Sequence, residues 1–139
     1  MTYGHAVTMT TPFEPAVERV REALARQGFG ILCEIDVRAT LRAKIGADVG
    51  PYLILGACNP PLAYQGLTAE PSLGLLLPCN VVVRAVDDFT TRVEAVDPAA
   101  FVTVTGNAGL EPVARAVAGH LAAVLDELGD PALPAGASR

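Results

Sequence analysis

Two apolar segments, Pro51 to Cys58 and Leu75 to Val86, commit this chain to a sheet. In the first, Tyr52, Ile54, Gly56 and Cys58 fall on one side and Leu53, Leu55 and Ala57 on the other. Apolar residues on both sides of a strand mark a central position in the sheet. In the second, Leu77, Cys79, Val81 and Val83 share a face, while Pro78, Asn80, Val82 and Arg84 share its reverse. Pro78 has no N–H to give a ladder, so the strand starts there, bulges there or runs along an edge. Each segment also carries a Cys-Asn pair, Cys58-Asn59 and Cys79-Asn80.

The flanking elements follow from periodicity. Tyr3 to Met9 alternates as a first strand, and its His5 reads as a strand histidine at a wet edge. A helix begins with Pro15 in its first turn, where a missing N–H costs little, and carries Val17, Val20 and Leu24 on one face up to Gly28. Phe29 to Val37 switches to period two, with Phe29, Ile31, Cys33, Ile35 and Val37 on one side. That pattern makes Cys33 a small buried filler and leaves Glu34 as either a solvated strand residue or one wall of a pocket. Asp36 caps a short helix aligning Val37, Leu41 and Ile45, closed by Gly46. Asn59 is a good N-cap and Pro60 a good first residue for a helix from Pro60 to Leu67, followed by a turn region from Thr68 to Gly74. Asp87-Asp88 marks a hairpin turn, and Phe89 to Val96 returns as the partner strand.

Residues 98–105 carry conflicting signals: the Asp-Pro start reads as a helix cap, whereas Phe101-Val102-Thr103-Val104 reads as strand. The longest helix opens at Asn107 or Gly109 and reaches Leu128, with Leu110, Val113, Val117, Leu121, Val124 and Leu128 as its apolar stripe and His120 at the stripe's margin. The order is strand, helix, strand, helix, strand, helix, hairpin, helix. Helices packed on one face of a mainly antiparallel sheet, an α+β fold, satisfy it best. The chain of 139 residues fits a single domain over 1–129, with 130–139, rich in Pro, Ala and Gly, as a loose tail.

Charge and composition narrow the function. Ten Lys and Arg against fifteen Asp and Glu give a net charge of −5, the opposite of what a nucleic-acid surface needs. No apolar run is long enough to span a bilayer, and Met1 to Met9 lacks the basic and apolar regions of a signal peptide. Three cysteines without tight spacing suit a reducing cytoplasm better than a disulfide framework.

The Cys-Asn pairs are the one constellation able to carry chemistry. Cys58 immediately precedes a helix, where the dipole and free N–H groups lower a thiol's pKa. A thiol-linked site, for redox or sulfur-handling chemistry, would therefore use Cys58 and Cys79. Glu34 or Glu70 would then accept protons, and Asn59 or Asn80 would orient groups. An alternative is a non-catalytic module that binds a small ligand in an apolar pocket around Tyr52, Tyr64 and Leu75. A soft metal between the two thiols and a carboxylate belongs to the same alternative, although no Cys-x-x-Cys or His cluster marks a metal site. A third reading makes the cysteines structural and the domain a dimerisation unit. No phosphate loop, dinucleotide fingerprint or nucleophile–base pair is visible, so no cofactor is expected and whether the chain is an enzyme stays open.

The segments Gly28-Phe29-Gly30-Ile31, Glu34-Ile35-Asp36-Val37, Pro51-Tyr52, Ile54 to Tyr64, Glu70-Pro71 and Gly74 to Val83 together resemble the domain-of-unknown-function 302 family. The resemblance covers about residues 3–128 and implies a compact α+β domain similar in layout to the TATA-binding-protein-like fold, often a homodimer. The family pattern matches at Glu34, Cys58, Asn59, Pro60, Glu70, Pro78, Cys79 and Asn80. It departs at Cys33, where a hydroxyl residue is expected, and at Leu53, where a basic residue is usual. Fold transfers through such a likeness further than function does.

Overall fold

A computed structural model describes residues 1–129; the expected tail at 130–139 lies outside the described residues. Five strands form one antiparallel sheet: β1 (Gly4–Met9), β2 (Gly30–Asp36), β3 (Tyr52–Cys58), β4 (Cys79–Ala85) and β5 (Thr91–Val96), ordered β1-β5-β4-β3-β2. The helices are α1 (Phe13–Arg26), α2 (Val37–Ile45), α3 (Pro60–Ala69), α4 (Ala99–Thr105) and α5 (Glu111–Leu128). This is the α+β architecture that the periodicity predicts.

Register sorts the strand residues into rows. Val7, Val93, Val83 and Leu53 lie side by side across four strands, and Ala95, Val81 and Leu55 form the next row. Both rows point at the helices. They join Val17, Val20 and Leu24 of α1 and Val117, Leu121 and Val124 of α5 in one buried core. The apolar stripes of α1 and α5 exist to cover this face. Two rows point the other way: Thr8, Arg92, Arg84 and Tyr52, and beside them Ala6, Glu94, Val82, Ile54 and Ile35. Apart from Ala6, these side chains are half-buried or exposed, which leaves this face open beside the covered one.

Several expectations need correction. Cys33 is exposed, not filler, because a bulge between Ile31 and Cys33 shifts the register of β2. Ile31 pairs with Ala57 on the covered side, whereas Cys33 pairs with Gly56 and turns to the open side. Gly56 must be glycine there: a Cβ would stand 2.5 Å from the Cys33 sulfur and 2.7 Å from Pro78 Cγ. The apolar run ascribed to a strand from Leu75 begins instead as a 3-10 helix over Pro71–Leu76, and β4 starts directly after Pro78. The missing N–H of Pro78 explains that start. The ambiguous segment 98–105 is helix α4; Asp97 Oδ1 accepts from Ala99 N at 2.9 Å, a turn one residue ahead of the Pro98 N-cap that favours the helix over the β-branched run. A 3-10 turn over Ala108–Leu110 precedes α5, and Asn107 Oδ1 accepts from Gly109 N at 2.8 Å.

Candidate functional site

A cavity of about 320 Å³ opens where β3 ends and β4 begins. The cross-strand pair Ala57 and Cys79 forms its floor, and α3 leaves the sheet directly after Cys58. Leu62 and Ala63 of α3, Leu73 of the 3-10 helix, Phe101 of α4 and Val113 and Val117 of α5 form the walls. Leu32, which the β2 bulge pushes outward to 68% exposure, stands in the lining with Leu67 at 40%, so an apolar rim meets solvent. No carboxylate, amine, guanidinium or imidazole takes part in this lining.

The N-terminus of α3 shapes the chemistry. Asn59 caps it, with Oδ1 accepting from Leu62 N at 3.4 Å and Nδ2 donating to the Gln27 carbonyl at 3.5 Å. Pro60 and Pro61 occupy the next two positions and have no N–H. Ala63 N donates to the Asn59 carbonyl at 2.9 Å. The two prolines and these two bonds remove the N–H groups of positions 60–63 as donors to Cys58. Cys79 is buried at 4% exposure, and burial, then the neighbouring Cys58, push its thiol up to about 11. Near neutral pH it is a protonated, apolar lining group rather than a nucleophile.

Of the residues singled out in the sequence, Cys58, Cys79 and Asn59 gather at this cavity. Glu34 does not: it ion-pairs with Arg21 of α1, at the sheet edge. Glu70 does not either; its Oε1 accepts from Asn107 Nδ2 at 3.1 Å and ties the end of α3 to the loop before α5. Tyr64 is 75% exposed and Leu75 88% exposed, so the predicted pocket around Tyr52, Tyr64 and Leu75 does not form. Tyr52 and Asn80 line a different cavity, of about 310 Å³, on the open face, with Tyr3, Val82, Glu94 and Val96. Leu53 is partly buried and packs against the covered core.

The main lining residues, Leu62, Leu73, Phe101, Val113 and Val117, escape the sequence reading because a cavity wall and a core stripe have the same composition. His120 Nδ1–H donates to Gln27 Oε1 at 3.0 Å and the ring meets Phe29 edge-on, the boundary role that its position in the helix implies. Among the described residues no group of three or more His, Cys, Asp or Glu stands together as a metal site, and no helix is long and apolar enough to cross a membrane.

Comparison with known proteins accords with the likeness seen in the sequence. No curated protein matches the chain. The chain is similar to a solved structure, the uncharacterized conserved protein DUF302 from Bacillus stearothermophilus, at 30% identity. The match covers 92% of this chain and 99% of that one, with a TM-score of 0.84. The family model described as Domain of unknown function DUF302 matches residues 5–128. The chain belongs to the DUF302 family.

Proposed function

We propose that the protein is a small-ligand-binding module whose ligand is neutral and apolar, held in the cavity between β3, β4, α3 and α5. One observation carries this reading: a cavity of about 320 Å³ whose lining presents one amide, two thiols and otherwise apolar groups. An apolar cavity of about 150 Å³ holds benzene, so twice that volume suits a fused two-ring molecule of roughly indole size. A charged ligand would lose its hydration there and meet no counter-charge. Calorimetric titration with indole and with its charged analogue tryptamine tests the idea. Indole binding that is lost in Ala63→Phe, which fills the cavity, supports it. Equal affinity for tryptamine, or indole binding unchanged by Ala63→Phe, refutes it.

A second reading keeps a thiol-linked role, redox or sulfur-handling, because Cys58 and Cys79 both belong to the lining of one cavity. It differs in outcome: Cys58→Ser and Cys79→Ser would abolish that role but leave indole affinity within about threefold under the first reading. The homodimer implied by family resemblance and a cytoplasmic location implied by three unpaired thiols belong to this proposal as well. Light scattering on the purified chain checks the former.

A further inference from the structure

The geometry points to a second site, on the open face of the sheet, for a small organic molecule bearing a carboxylate or phosphate. Arg84 and Arg92 stand directly opposite each other on β4 and β5. Like charges paired across two strands repel unless an anion lies between them. Glu94 supplies one: its Oε1 accepts from Arg84 Nε at 3.0 Å, and its Oε2 lies 3.4 Å from Arg92 Nε. The second contact is an ion pair without hydrogen-bond geometry, which leaves the buried Arg92 Nε with no acceptor. One carboxylate thus offsets one of two guanidinium charges. Both groups are held by their Nε sides, and among the described residues the forked Nη ends of each have no partner.

Such ends suit oxyanions, since the planar fork donates two parallel hydrogen bonds to a carboxylate or phosphate. The side chains are 37% and 27% exposed, so an incoming anion is only partly screened by solvent. Beyond Glu94 and Tyr52 lies the open-face cavity of about 310 Å³; neither arginine lines it, so an anion on the pair would reach it only through the body it carries. Glu94 lines it, and Tyr52, which also lines it, sits directly across from Arg84. Tyr52 and Tyr3 provide ring surface there, and the Asn80 amide provides a polar contact for a body attached to the anion. A net-negative chain that keeps an under-neutralised arginine pair beside a cavity has the layout of an anion receptor.

The test titrates phenyl phosphate, benzoate and the neutral analogue phenol into the full chain by calorimetry at low salt, with chemical-shift mapping of the binding residues. Saturable binding of either anion, weakened at least tenfold in Arg84→Gln and in Arg92→Gln, with shifts at β4 and β5, supports the site. The two anions distinguish phosphate from carboxylate as the preferred group. Arg84→Lys, which keeps the charge and loses the fork, should weaken binding less than Arg84→Gln and guards against a mere loss of folding. No saturable binding, binding of phenol as strong as that of the anions, or affinity unchanged in both glutamine variants overturns the proposal. So does a dimer whose mass falls to monomer in Arg84→Gln, since the pair would then serve contact between copies.

Discussion

The two faces of one sheet solve opposite problems. On the covered face, Val7, Val93, Val83 and Leu53 form an apolar row sealed by α1 and α5, and the cavity further along that face, at the Ala57 and Cys79 pair, has no charged wall. On the open face, the neighbouring row reads Thr8, Arg92, Arg84 and Tyr52, and its cavity includes a carboxylate. Both sets of side chains come from the same strands, one residue apart. A sheet with period two therefore builds two sites of different polarity from a single run of sequence.

Stability should separate the faces most sharply. Leu55→Ala, at a fully buried position on the covered side, should cost about 2–5 kcal/mol. Ile35→Ala, at 46% exposure on the open side, should cost no more than about 1 kcal/mol. Urea midpoints of the two variants give the comparison, and equal losses would mean that something covers the open face in solution. A cross-check comes from Gly56→Ala. It lies on the open side, yet it should lose about 1–3 kcal/mol because the new methyl meets Cys33 and Pro78.

The next effect is a pH dependence. Cys79 titrates near 11 when folded, against an ordinary value of 9.0, because burial disfavours the thiolate. Between those values the unfolded chain gives up its proton and the folded chain keeps it, so stability falls as pH rises from about 9 to about 11. The loss should total about 2–3 kcal/mol and vanish in Cys79→Ala, as urea titrations at pH 8 and pH 11 would reveal. A smaller effect concerns the α3 cap. Asn59→Ala removes the acceptor for Leu62 N and the tether to Gln27, and should lower stability by about 0.5–2 kcal/mol.

Much of this architecture was legible in the chain. Alternation in 51–58 and 77–84 placed β3 and β4, and Asn59-Pro60 placed the start of α3, because strand period and cap chemistry are local. The bulge at Leu32 was not legible, since an extra residue in a ladder depends on the partner strand, and so Cys33 was assigned to the wrong side. That Cys58 and Cys79 line one cavity did not follow from spacing, since it depends on the register of β3 against β4. The displacement of Glu34 to Arg21 and of Glu70 to Asn107 did not either, because those partners lie on distant elements. The second proline after Asn59 was visible all along, and its lack of an N–H already weakened the argument for an activated thiol. The roles of Arg92 and Glu94 are not legible in the chain, because they arise only from register with Arg84.

A single chemical-shift map with two probes goes to the heart of this account, which holds that the faces sort ligands by charge. Indole and phenyl phosphate are added in turn to the same isotope-labelled chain. Indole should move Leu62, Leu73 and Val117 while leaving Arg84 and Arg92 still, and phenyl phosphate should do the reverse. Both probes moving the same residues, or neither moving any, would contradict it.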